Sequence, residues 1–195
     1  MILYLHGFRS SPASVKARQL HAHMQARGIG HLFHCPQLPP SPRAAVALAE
    51  ERIAASRTPV TVVGSSLGGY YATWLAEAHG LKAVLVNPAV VAHLSLRDYV
   101  GPTTNLYTGE SFEFKPEYID ELRALEVPRL SAPENFLLLV ETGDELLDYR
   151  QAVARYAGAR QVVIEGGDHS FRHWGEYLDA ILAFAGLKGA DHERL

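Results

Sequence analysis

The 195-residue chain has a single cysteine, Cys35, so no internal disulfide can form, and the expected setting is a reducing, cytoplasmic one. It has no apolar run near the roughly 18–20 residues that a membrane span requires. The first residues, Met1-Ile2-Leu3-Tyr4-Leu5-His6, lack the basic segment and cleavage site of an export signal and read instead as a core strand. There is little excess charge: 18 Lys and Arg stand against 21 Asp and Glu, a net charge of −3, which gives no electrostatic case for nucleic acid or an anionic membrane. No internal repeat or low-complexity tract interrupts the chain. A hydrophobic content of 48% is enough for a full-sized core, and the length suits one domain over residues 1–195.

What is present is an alternation of apolar runs and helical patterns. Strands are expected at 2–5, 31–35, 60–63, 81–87, 136–141 and 161–164, and helices at 14–27, 43–56, 70–79, 147–156 and 175–184. Gly28 and Pro42 mark a helix end and a helix start. Such alternation requires a mostly parallel six-stranded sheet with helices on both faces and right-handed crossovers. Ligands in these sheets bind at the carboxyl ends of the strands, where the winding direction reverses. Residues 88–133 break the rhythm: Tyr99, Tyr107, Phe112, Phe114 and Tyr118 are scattered among glycines and prolines, with one short helix expected at 116–125. A long aromatic insertion of this kind reads as a lid-like or binding segment after the fourth strand, the alternative being an irregularly connected piece of core. Residues 188–195 read as a polar tail.

The chemistry centres on Gly64-Ser65-Ser66-Leu67-Gly68, which sits between a β-branched run and a helical pattern. Strand, then Gly-x-Ser-x-Gly, then helix is the nucleophile elbow, a sharp turn that lifts one serine hydroxyl above the sheet. A serine hydroxyl is a weak nucleophile at neutral pH, so Ser66 needs a base, and the base needs an orienting anion. In this architecture the order along the chain is Ser, then Asp or Glu, then His. Asp144 follows the fifth strand and His169 follows the sixth, which suits those roles. Asp148 is the competing acid, but it lies where a helix start would use it as a cap. Asp168 is a neighbour of His169 and is assigned to holding the loop. The oxyanion is expected to face two backbone amides, Leu67 after the nucleophile and Phe8 in the loop His6-Gly7-Phe8. The ring of His6 is expected to serve structure by bonding loop backbone.

Other chemistries fit poorly. The glycines lack the Gly-Lys-[Ser/Thr] of a phosphate loop and the Gly-x-Gly-x-x-Gly of a dinucleotide site. His21 and His23 point apart on a helix, and His31, His34 and Cys35 are followed by no zinc-like spacing, so no metal and no cofactor is expected.

Taken together, His6-Gly7-Phe8-Arg9-Ser10-Ser11-Pro12, the elbow through Tyr70-Tyr71-Ala72, Asn87-Pro88-Ala89-Val90, Tyr107-Thr108-Gly109-Glu110, Thr142-Gly143-Asp144-Glu145 and Gly167-Asp168-His169 resemble the small YqiA-type esterases of the α/β-hydrolase superfamily. The resemblance implies a minimal α/β-hydrolase fold with strand order 2-1-3-4-5-6. It also implies hydrolysis of a small-molecule carboxylic ester or acyl thioester by Ser66, His169 and Asp144. A peptidase or an acyltransferase could use the same triad, and a non-catalytic binding module could retain it.

Overall fold

A computed structural model describes residues 1–187; the polar tail expected over 188–195 lies outside the described residues. Six strands form one sheet. β1 (Ile2–Leu5), β3 (Thr61–Ser65), β4 (Lys82–Val86) and β7 (Phe136–Glu141) are its centre, flanked by β2 (Phe33–His34) and β8 (Arg160–Ile164). β5 (Gly101–Thr104) and β6 (Ser111–Phe114) form a separate hairpin. The sheet order is β2-β1-β3-β4-β7-β8, and every neighbouring pair is parallel. Counting only the strands of this sheet, the expected order is met. In chain numbering the last two strands are displaced by the hairpin.

The central strands read as continuous apolar runs because helices cover both faces. All residues of β1, β3 and β7 are buried. Alternate residues feed two cores. Leu3, Leu5, Val62, Leu85 and Leu138 pack against α2 (Pro42–Ala55), α3 (Leu67–His79) and α6 (Tyr149–Arg155). Ile2, Tyr4, Val63, Val84 and Leu139 pack against α1 (Val15–Ala26) and α7 (Leu178–Phe184). Gly28, at φ 73°, follows α1 and Pro42 opens α2 as anticipated; in addition Ser41 Oγ accepts from the Ala44 amide, and Gly80 closes α3 at φ 63°.

Two elements differ from expectation. The second strand is only two residues long, because Gly30–Leu32 forms a tight 3-10 turn and only Phe33 and His34 pair with β1. An edge strand has one neighbour, and here the apolar pattern is too short to extend the ladder. The 88–133 insertion also has more structure than one helix. It contains α4 (Ala92–Ser95), the antiparallel hairpin with Gly101 opposite Phe114, and α5 (Glu117–Ala124). Its Phe114, Ile119, Leu122 and Leu125 are buried in the first core, and the Tyr70 hydroxyl donates to the Leu122 carbonyl at 2.7 Å.

The winding reverses between β1 and β3, since β2 lies on one side of β1 and all later strands on the other. The loops after β1 and β3 therefore open side by side at the carboxyl edge of the sheet, where a ligand crevice is expected.

Candidate active site

At that edge β3 turns abruptly into α3. Ser66 has φ 55° and ψ −121°, a backbone region that L residues rarely occupy. The turn is held by its own peptide: the Ser66 amide donates to Val86 O at 3.1 Å, and its carbonyl accepts from Gly69 at 2.9 Å and Ala89 at 3.1 Å. The two flanking glycines are steric necessities. A Cβ on Gly64 would lie 2.2 Å from Gly68 O, and one on Gly68 would lie 2.0 Å from Leu5 O.

The three residues singled out from the sequence meet here. His169 Nε2 lies 3.0 Å from Ser66 Oγ, and His169 Nδ1 lies 2.8 Å from Asp144 Oδ2 and 3.0 Å from Oδ1. An ionised carboxylate can only accept, so Nδ1 carries the ring proton and Nε2 is left to accept from the serine hydroxyl. The Asp144 side chain is 2% exposed. It also accepts from the Leu146 and Leu147 amides at 2.9 Å each, which keeps its oxygens aimed at the ring. Asp148 is not part of this relay. It caps α6 by accepting from the Arg150 amide at 3.0 Å. Asp168 accepts from Ser170 and Arg172 within its own loop; these hydrogen bonds hold its carboxyl down at about 2.

Phe8 and Leu67 both line the cleft that contains Ser66 and His169. Gly7 brings the first loop against the elbow, close enough that a Cβ there would lie 3.2 Å from Ser66 Cβ. His6 is 4% exposed, and its Nε2 accepts from the Leu38 amide at 3.1 Å while Nδ1 donates to Gly7 O at 3.0 Å. Burial pushes the pKa of this imidazole down, so the ring stays neutral and bridges two loops.

Two further residues position the histidine loop, and sequence reasoning assigned neither a role. Glu141, at the end of β7, is fully buried and accepts from the Asp168 amide at 2.7 Å, the His173 amide at 3.0 Å and His173 Nδ1 at 2.7 Å. Burial alone would raise its pKa, but the hydrogen bonds from His173 and the Asp168 amide outweigh it and hold the carboxyl below its ordinary value. Asn87 donates from Nδ2 to the carbonyls of Asp168 and His169 at 3.0 and 3.2 Å and accepts from the Glu141 amide at 3.0 Å. The only sequence signal for Glu141 is a carboxylate that ends an otherwise apolar strand. Asn87 appears in a family-like motif, but with no chemistry attached.

Two clefts meet at Ser66 and His169. One, about 270 Å³, is walled by Phe8, Leu96, Tyr99, Leu106, Leu146 and Leu147 and is predominantly apolar. The other, about 550 Å³, carries Arg9, Lys16, Gln19, Tyr107, Glu145 and Arg172. Burial pushes the Lys16 ammonium down to about 8, against the opposing pull of Asp168, Glu141 and Asp144. Among the described residues no group of three His, Cys, Asp or Glu side chains could hold a metal ion, and no helix is long and apolar enough to cross a membrane.

A parallel sheet of this order with a serine elbow after its third strand defines an α/β-hydrolase fold. Solved structures bear this out at the level of fold. A monoacylglycerol lipase from Paleococcus ferrophilus aligns at TM-score 0.70 and 17% identity, covering 94% of this chain and 93% of that one. The esterase domain of a Rhodothermus marinus protein aligns at 0.62 and 18%, covering 94% and 85%. Est1E from Butyrivibrio proteoclasticus, with ferulic acid bound, aligns at 0.66 and 14%, covering 94% and 86%. At the level of family, the profile described as "Uncharacterised protein family (UPF0227)" matches residues 1–186, and the chain belongs to that family, the YqiA-like one that its motifs resemble.

Proposed function

We propose that the protein is a serine esterase that hydrolyses carboxylic esters or acyl thioesters through an acyl-enzyme. The observation that carries this reading is the unbroken relay from Ser66 Oγ through His169 to the buried Asp144 carboxylate. Ser66 Oγ attacks the acyl carbon while His169 Nε2 takes its proton, and Asp144 steadies the resulting imidazolium. The carbonyl electron pair moves onto oxygen, which the amides of Phe8 and Leu67 stabilise; one such donor is typically worth about 2.7–4 kcal/mol of barrier. Collapse expels the alkoxide or thiolate, which takes the proton from His169. Water then repeats the sequence on the acyl-enzyme, releasing the acid and restoring Ser66.

The cleft walled by Leu96, Tyr99 and Leu146 suits the acyl chain, and the wider cleft, which carries the charged Arg9, Lys16 and Arg172, suits the leaving group. In this reading the chain works as one domain, with residues 88–133 walling the acyl cleft. The names esterase and lipase among the fold neighbours support ester chemistry. No cofactor is called for, and the single thiol, Cys35, supports a cytoplasmic setting.

A fluorophosphonate probe should label the wild-type protein and not Ser66→Ala. Equal labelling of both would remove Ser66 from its role. Turnover of 4-nitrophenyl esters, acyl thioesters and peptide amides, measured side by side, separates an esterase from a peptidase.

A further inference from the structure

The loop that would supply one oxyanion donor is held from several sides, and Gln37 Nε2 is one of the groups that donate to its Ser10 carbonyl, at 3.3 Å. Arg9, directly after Phe8, sits at φ 57°, a conformation that a non-glycine residue keeps only when its surroundings enforce it. The enforcement comes from the 88–133 insertion, nearly a hundred residues away. Arg9 Nε donates to Thr104 O at 2.8 Å, and the Leu106 amide donates to Arg9 O at 2.8 Å. Between these two residues lies Asn105, 8% exposed, whose Nδ2 donates to Ser10 O at 2.8 Å. Its Oδ1 accepts from the Tyr107 and Thr108 amides at 2.9 and 3.1 Å, and its own amide donates to Glu110 O at 2.9 Å. Asn105 thus ties the hairpin turn together with one end of its amide and grips the oxyanion loop with the other. The Phe8 ring is edge-on to Tyr99, Phe112 and Phe114 of the same insertion, at 5.3, 6.1 and 5.0 Å between centroids.

From this we infer that Asn105 is a positioning residue: through Ser10 it holds the Phe8 amide in register with Ser66 Oγ, so that the insertion braces the oxyanion site as well as walling the cleft. The inference rests on the serine-esterase reading above. Asn105 itself touches no reacting atom. Its loss is therefore expected in the transition state and not in acyl binding.

The test uses Asn105→Asp, which keeps the acceptor for the turn amides but replaces the donor to Ser10, together with Asn105→Ala. Rates of 4-nitrophenyl butyrate hydrolysis are expressed per site titrated with fluorophosphonate, so that only folded sites are counted. Two matched ligands are compared: a trifluoromethyl ketone, which adds to Ser66 and forms an oxyanion, and the parent methyl ketone, which binds without doing so. The expected result is a kcat lowered on the order of ten- to a hundredfold in both variants with KM nearly unchanged, a comparable weakening of the trifluoromethyl ketone, and little effect on the methyl ketone. Wild-type kcat in both variants would overturn the inference. So would a parallel change in kcat, KM and both ketones, which would mark general disordering of the site. Failure of the underlying reading looks different, because wild-type turnover would then survive Ser66→Ala.

Discussion

Ser66 occupies strained backbone, at a cost on the order of 1–3 kcal/mol, and four residues, Val86, Gly69, Tyr70 and Ala89, accept or donate at its amide and carbonyl to hold it there. In the proposed mechanism the strain has a chemical return: it presents the Ser66 hydroxyl to His169 Nε2 at 3.0 Å. At this scale the two candidate acids can be separated by their bonds. Asp144→Asn should lower kcat by about 10⁴, since the amide favours the wrong imidazole tautomer. Asp148→Ala should leave kcat per titrated site intact and lower Tm by about 2–4 °C, the loss of an N-cap worth about 1 kcal/mol. Steady-state rates and thermal melts on the two variants decide the assignment, and the opposite pattern would exchange their roles. Ser66, Asp144 and His169 could be picked out as candidates because each follows a strand end and they come in the expected order along the chain. Glu141 and Asn87 could not, because their partners, Asp168, His169 and His173, lie on a loop that only folding brings near.

At the scale of elements, the elbow depends on the close crossing of β3, α3 and β1. Gly68→Ala places a methyl group against Leu5 O, so it should destabilise the protein by about 3 kcal/mol or more, visible as a Tm lowered by about 6 °C or more. The loops after β7 and β8 are laced as firmly: the Gly143 amide donates to Gly166 O at 2.7 Å, and the Gly166 amide donates to Thr142 Oγ1 at 2.9 Å. Glu141 is the charged member of that lacing, and its folded pKa lies below its unfolded one. Its contribution is therefore fully present above the ordinary carboxylate pKa of about 4.5 and is lost as pH falls through the lower folded value. Glu141→Gln should lower Tm at neutral pH by about 4–8 °C, as expected for losing hydrogen bonds to a buried charge, and should flatten the fall in Tm below pH 4.5. Melts from pH 7 to pH 3 read both effects, and parallel curves for the two proteins would contradict the account. The long apolar strands were legible at this scale, Phe136–Glu141 to the residue. The hairpin was not, since Gly101 and Pro102 open β5 and such residues normally argue against a strand.

Across the whole molecule, one sheet serves two cores. Trp74 packs against the core beneath α2 and α3, and Trp174 lies in the core beneath α1 and α7. Because the residues of β1, β3, β4 and β7 alternate between these cores, neither can melt and leave the other intact. Trp74→Phe and Trp174→Phe, which leave one tryptophan reporter on each face, should each give fluorescence transitions in denaturant that coincide with circular dichroism for the same variant. Separate midpoints within one variant would show that the two faces unfold independently.

The amino-acid sequence by itself determined the succession of strands and helices, the parallel sheet that this succession requires, and which serine, carboxylate and imidazole are the candidates. The elements follow from patterns within a dozen residues (apolar periodicity, a turn motif, a cap), and the acid and base candidates from their order after successive strands. Only the tertiary structure decided that His169 reaches Ser66 across 103 residues, that Glu141 and Asn87 brace its loop, and that Asn105 grips a loop 95 residues earlier in the chain. Those contacts depend on how packed elements meet at one edge of the sheet, and no local pattern encodes that meeting.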